Sequence, residues 1–205
     1  MRQSPVRSRL RQRPEGVRLG ILGGTFDPPH LGHLLAAVDA VECLTLDRLV
    51  LVPAAVQPLK TESIAASAED RLAMTRLLVA GDPRFEVDAM EIERFGLSFS
   101  VDTLDVFAER YPSAERFFLI GEDVLRTFDR WRDPDRVRAL ATLAVMTRAD
   151  GASPAVLPAG AVAIASRRID VSSTEIRRRV AAGRSLRGFV PEPVAAYVAA
   201  HGLYR

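Results

Sequence analysis

From Val17 onward, short continuous apolar runs alternate with longer stretches in which apolar residues recur every three or four positions. VRLGIL, DRLVLVP, FEVDAM, ERFFLIG, LAVMT and VAIAS predict buried strands, the first closed by Gly-Gly and the second by Pro53. LGHLLAAVDAVECL, SAEDRLAMTRLLVAG, SVDTLDVFAERYP, SSTEIRRRVAAG and PEPVAAYVAAHG predict helices, with two shorter ones at DVLRTFDRW and PDRVRALA. Ser67 stands where it can cap the second helix, with Asp70 at the position where a capping box prefers Glu, and Gly81 ends it. The last two helices also end at glycine. AAVQPLKTESIAAS and ADGASPAVLPAGA are aperiodic and Pro-bearing, and predict a long loop and a surface connection. Strands alternating with helices, most strands being continuously apolar, predict an α/β fold: a doubly wound parallel sheet with helices on both faces, as a single domain. In such sheets ligands bind beyond the carboxyl ends of the strands.

Composition narrows the class. The chain has 205 residues, 48% hydrophobic and 26% charged, which fits a folded protein and not a disordered one. Cys43 is the only cysteine, so no internal disulfide can form and a cytoplasmic location is expected. No apolar run approaches the roughly 18–20 residues of a membrane span. The net charge of +2 is uneven: the first sixteen residues carry five arginines and one glutamate, which leaves the remainder at −2. Residues 1–16 therefore read as a basic, disordered tail or a product of start-codon choice, with weak contact to anionic partners as the alternative. Residues 17–205 form the domain. Its slightly acidic balance argues against a nucleic-acid partner, and the sequence leaves room for a homo-oligomer without specifying one.

The candidate chemistry begins in GILGGTFDPPHLGHLLAA, where two of only three histidines lie between a strand and a helix. Neither G-x-x-x-x-G-K-[ST] nor G-x-G-x-x-G is present, so the familiar phosphate loops are excluded. What remains still outlines an anion site. Gly23 and Gly24 permit close approach of backbone to ligand. A helix starting near His30 would aim unpaired N–H groups and the positive end of its dipole above the sheet. His30 and His33, three apart, share one face of its first turn and can both donate N–H to one phosphate cluster, neutral or charged. Two readings compete with this one, a Gly-rich turn with incidental histidines and a metal pair; the latter has only the distant His201 and Cys43 to complete it.

RRIDVSSTEIRRR supplies a second helix start. Ser172 and Glu175 fit a capping box, which needs no function. The same hydroxyls followed by Arg177 also suit a phosphate cradle. Two such helix starts can bracket a polyphosphate, leaving Arg178 and Arg179 as a solvated face.

GTFDPPHLGH resembles the (H/T)-x-G-H signature of the nucleotidyltransferase superfamily, and SSTEIR resembles its second ATP-binding motif. With EDRLAM, SFSVDTL, FFLIGEDVLRTFDRW, LAVMTR and FVPEPVAAYVAAHGLYR in order, residues 17–205 resemble the bacterial nicotinate-nucleotide adenylyltransferases. The resemblance implies a Rossmann-like fold and a reaction in which ATP, with Mg²⁺, and nicotinate mononucleotide give deamido-NAD and pyrophosphate. The acceptor's own phosphate is the nucleophile, in keeping with the lack of any triad. By motif position, His30, His33 and Arg177 would be catalytic. Gly23, Gly24, Thr25, Phe26, Asp123, Ser172, Ser173 and Thr174 would bind ATP, and Lys60, Thr103, Trp131 and Arg148 the mononucleotide.

Two of these keep bland alternatives: Trp131 as a partly buried core residue, and Arg148 as the partner of an acid. The chain departs from the family's Pro-His-Lys after the second strand, having Gln57-Pro58-Leu59-Lys60, and has SFS for Ser-Tyr-Thr. The rival superfamily members, phosphopantetheine adenylyltransferase and the cytidylyltransferases, do not account for SFSVDTL or HGLYR. A sensor that has lost catalysis would be expected to show damage at His30, His33 or Arg177, and none is seen.

Overall fold

A computed structural model describes residues 16–58, 64–148, 157–167 and 169–205, the side chain of Arg148 excepted. Six strands, β1 (Arg18–Gly24), β2 (Arg48–Pro53), β3 (Phe85–Val87), β4 (Glu115–Gly121), β5 (Thr142–Arg148) and β6 (Val162–Ser166), form one sheet in the order β3-β2-β1-β4-β5-β6. Every neighbouring pair is parallel. The helices are α1 (Leu31–Leu44), α2 (Ala68–Val79), α3 (Met90–Arg94), α4 (Ser100–Arg110), α5 (Glu122–Leu125), α6 (Pro134–Leu140), α7 (Ser173–Ala181) and α8 (Glu192–Ala200), with a 3-10 turn at Phe128–Arg130. The order is that of a doubly wound Rossmann-like sheet, with its switch point between β1 and β4. No helix among the described residues is long and apolar enough to cross a membrane.

The period of two along each strand builds two cores. Leu22, Leu49, Leu51, Phe117, Leu119 and Ala144 face Ala37, Ala40, Met74, Leu78, Ile176 and Val194 from α1, α2, α7 and α8. Leu19, Ile21, Val50, Val52, Phe118, Ile120 and Val145 face Leu104, Phe107, Val137 and Leu140 from α4 and α6. Burial on both faces is why these strands read as continuous apolar runs. Ser67 caps α2 as expected, accepting from the Asp70 N–H at 3.0 Å and donating to its carboxylate at 2.8 Å.

Three expectations need correction. FEVDAM is strand only to Val87, because the Asp88 carboxylate takes the Met90 N–H at 2.8 Å and turns the chain into α3. DVLRTFDRW is not one helix: α5 stops at Leu125, and the 3-10 turn follows, with the Thr127 hydroxyl bonded to the Val124 carbonyl at 2.9 Å. Arg179 does not belong to a solvated face, since its guanidinium lies 4.1 Å from the centre of the Phe189 ring and donates to Ser185 O.

Candidate active site

β1 and β4 are adjacent and end at Gly24 and Gly121, so the crevice between their carboxyl ends has glycine on both sides. A Cβ on Gly23 would meet nothing within 4 Å, which leaves its backbone open to a ligand. Gly24 makes room inward instead: a Cβ there would lie 2.8 Å from the Phe26 ring, which is buried beneath it. Phe26 adopts φ +52, a left-handed conformation uncommon for a bulky residue, and its ring meets His33 edge-on at 5.0 Å.

His30 is the N-cap of α1 and His33 its third residue. Their rings stack with centroids 3.8 Å apart, and the His30 N–H donates to His33 Nδ1 at 3.2 Å. Nδ1 of His33 is thereby an acceptor, so in the neutral ring Nε2 carries the proton and is a donor. His30 is 8% exposed, and desolvation lowers its pKa from 6.5 to about 4, so it is uncharged at neutral pH. The start of α1 is only partly free, with Gly32 N–H left without a backbone partner among the described residues. Leu31 N–H is bonded to Phe189 O at 3.0 Å, and the N–H groups of His33 and Leu34 fold back on His30 O. The attraction for anions therefore falls on the Gly32 N–H, the dipole and the imidazoles.

Because unfolded His30 protonates near 6.5 and the folded residue only near 4, the unfolded chain binds the extra proton between those values. The contribution is fully present above pH 6.5 and is lost as pH falls towards 4, a change of at most about 3 kcal/mol. Urea unfolding at pH 7 and pH 4.5 should show a smaller acid loss in His30→Asn than in the parent; equal losses would count against a neutral buried His30. Gly32 offers a second check. A Cβ there would sit 3.0 Å from Nδ1 and Cε1 of His30, so Gly32→Ala should displace the ring and lower turnover about tenfold with little loss of fold. Full activity in that variant would mean the ring is not held where it matters.

The second motif comes to the same loop. Ser172 caps α7 by accepting from Glu175 N–H at 3.2 Å, and Ser173 donates to Pro28 O at 2.8 Å. Arg177 donates to Asp27 O at 2.8 Å and to Thr174 Oγ1 at 3.3 Å. Thr25 lies within this loop, where its carbonyl is an acceptor. Across the crevice, Asp123 is exposed at the start of α5 and curls back over Gly121, where any Cβ would clash with its carboxylate at 2.5 Å.

The residues expected to meet the mononucleotide are less gathered. Trp131 is half-buried against Phe118 and Phe128, at 6.0 and 5.2 Å between centroids. Thr103 is 2% exposed, and its hydroxyl donates to the buried carboxyl of Glu91 at 2.5 Å. Burial raises the pKa of that carboxyl. Arg148 ends β5 opposite Ser166, while its side chain, Lys60 and residues 1–15 lie outside the described residues.

A cytidylyltransferase-like family profile matches residues 21–179. A probable nicotinate-nucleotide adenylyltransferase of Gemmatimonas aurantiaca is 51% identical, over 92% of this chain and 93% of its own. One of Thermus thermophilus is 45% identical, over 92% and 100%. The chain belongs to the nicotinate-nucleotide adenylyltransferase family. The fold is shared with the Plasmodium falciparum nicotinic acid mononucleotide adenylyltransferase complexed with NaAD, at a TM-score of 0.73 and 15% identity over 92% of this chain and 97% of that one. A second shared case is a Vibrio parahaemolyticus nicotinate-nucleotide adenylyltransferase structure, at 0.68 and 19% over 92% and 96%.

Around the family's two motifs lies a support that the sequence reading did not pick out. Arg71 is 1% exposed and donates to Thr25 O at 2.8 Å, Ala54 O at 2.6 Å and Ala55 O at 3.2 Å, tying the loops after β1 and β2 together. Asp39 on α1, 3% exposed, takes the Arg167 N–H at 2.7 Å and so holds the end of β6. Arg71 had a signal. It begins the buried 71, 74, 75, 78 stripe of α2, where a charge stands among Met74 and Leu78.

Proposed function

We propose that this site transfers the adenylyl group of ATP to nicotinate mononucleotide. A phosphate oxygen of the mononucleotide attacks the α-phosphorus, the bond from that phosphorus to the bridging oxygen breaks, and pyrophosphate leaves. The product, deamido-NAD, belongs to NAD biosynthesis, a cytoplasmic task. The observation that carries this reading is the latching of two helix starts, α1 with its stacked histidines and α7 with Ser173 and Arg177, onto one loop at the β1–β4 switch point.

The roles are those that motif position suggests, and the placement of the described residues supports them. His33 Nε2–H and the neutral His30 ring face the charge that develops on the phosphates, and Arg177 adds a fixed cation. Gly23 to Phe26 form the groove floor, and Ser172 to Thr174 the opposite phosphate wall. Asp123 lies beside the adenosine. Trp131 offers its face to the pyridine ring and Thr103 sets the segment beside it, while motif position alone assigns Lys60 and Arg148, whose side chains lie outside the described residues, to the acceptor's phosphate. No covalent intermediate is needed, so positioning and electrostatics supply the acceleration. Among the described residues no three His, Cys, Asp or Glu side chains gather as a metal site. Mg²⁺ usually keeps several waters and binds largely through substrate phosphates, so it fits here as the ion carried by ATP.

The deciding assay is pyrophosphate release with ATP and Mg²⁺, comparing nicotinate mononucleotide, nicotinamide mononucleotide and phosphopantetheine at equal concentration. Release with the first far above the other two is expected. Tight ATP binding with no release from any acceptor would overturn the reading in favour of a nucleotide sensor.

A further inference from the structure

The loop that carries His30 is held from below by the last residues of the chain. Asp27 is 4% exposed, and its carboxylate accepts from Ala65 N–H at 2.7 Å, Ala66 N–H at 3.1 Å and the Tyr204 hydroxyl at 2.8 Å. Its backbone carbonyl accepts from Arg177. One residue thus joins the histidine loop, the segment entering α2, the second motif and the chain's end. Beyond α8, Gly202 at φ +62 and Tyr204 at φ +64 turn the chain back, and Leu203 N–H bonds to Val198 O at 3.1 Å. The Tyr204 ring packs at the edge of the core beside α8, while its hydroxyl reaches Asp27. Burial and the neighbouring Asp27 raise the phenol's pKa well above its ordinary value, so it stays a donor at any working pH.

We propose that Tyr204 is a positioning residue of the adenylyl transfer: its hydroxyl fixes the Asp27 carboxylate and, through it, the backbone that presents the histidine loop to the triphosphate. The inference rests on the reading of that loop as the ATP cradle. A cradle is useful only if its donors are held within about 0.5 Å of the productive geometry, and side chains that lock the supporting backbone set that tolerance. Tyr204 bonds to the Asp27 carboxylate and not to a histidine ring, so it acts through the loop and its loss should loosen that loop without unfolding it.

Tyr197 provides a matched control. Its hydroxyl donates to Asp70 at 2.9 Å and ties α8 to α2, yet it does not touch the loop. The test compares the full chain with Tyr204→Phe and Tyr197→Phe, measuring ATP affinity by calorimetry with Mg²⁺, turnover with nicotinate mononucleotide, and thermal unfolding. Tyr204→Phe should weaken ATP binding about tenfold and lower kcat, while KM for the mononucleotide stays unchanged. Tyr197→Phe should keep the parent's ATP affinity even where its thermal midpoint falls as far. Parental ATP affinity and turnover in Tyr204→Phe would overturn the proposal, as would an equal loss of affinity in Tyr197→Phe. A parent that binds ATP but releases no pyrophosphate would sink the adenylyl-transfer reading alone, because the affinity comparison still decides Tyr204. A parent that does not bind ATP overturns both.

Discussion

His33→Ala is expected to lower turnover by roughly 10²–10³ while the protein stays folded. The factor is that of removing one donor aimed at developing charge in a preorganised site. The side chain is half-buried, and its local contacts include the stacked His30 ring, the edge of Phe26 and the His30 N–H. Alanine loses the bond to the His30 N–H and some ring contact there, about 1–2 kcal/mol of stability, against roughly 3–4 kcal/mol of transition-state stabilisation. Catalysis should therefore suffer more than folding. Single-turnover rates beside urea unfolding separate the two, and a variant that turns over at the parental rate would remove His33 from the chemistry.

Arg71→Met should have the largest effect on stability, a loss of about 3–5 kcal/mol. Its guanidinium is the common partner of three carbonyls from two loops, and methionine fills the volume while supplying no donor. Left with fewer partners, Thr25 O, Ala54 O and Ala55 O would bear a desolvation penalty that ordinary turns avoid. Burial lowers the pKa of Arg71, and the nearby Asp27 charge opposes that shift. Since typical domains hold only about 5–15 kcal/mol in total, the variant should unfold at clearly lower urea. Arg71→Lys should recover less than half, because a single ammonium does not reproduce a planar fork. A midpoint close to the parent's would mean that water replaces the arginine without penalty.

The fold was legible because the four central strands, β1, β2, β4 and β5, lie largely buried on both faces, while the long helices bury one side each. Val50 and Leu51, adjacent in sequence, enter opposite cores, which is why both are apolar. The failures share a cause as well. α3 has five residues, too few for a period to declare itself, and its start depends on the Asp88 side chain and not on hydrophobicity. At the site, motif spacing pointed to His30, His33, Ser173 and Arg177 and to the places they occupy at helix starts. It did not show that Ser173 and Arg177 hold the histidine loop's own carbonyls, because such bonds join residues 145 and 150 positions apart. Asp27 was hidden for the same reason: beside two prolines it reads as a turn residue, and nothing local announces that it is nearly enclosed.

Those long separations bear on how the molecule comes into being. The histidine loop is made early, and its partners Ser173 and Arg177 about 150 residues later. At synthesis rates of about 5–20 residues per second, the loop waits roughly 7–30 s for them. β1 is in a similar position, since it has β2 on one side soon but lacks β4 on the other until residue 115. A newborn chain therefore carries both imidazoles long before it has a place for a triphosphate. A message that ends before Arg177 would yield a protein with the histidine motif intact and no cradle around it.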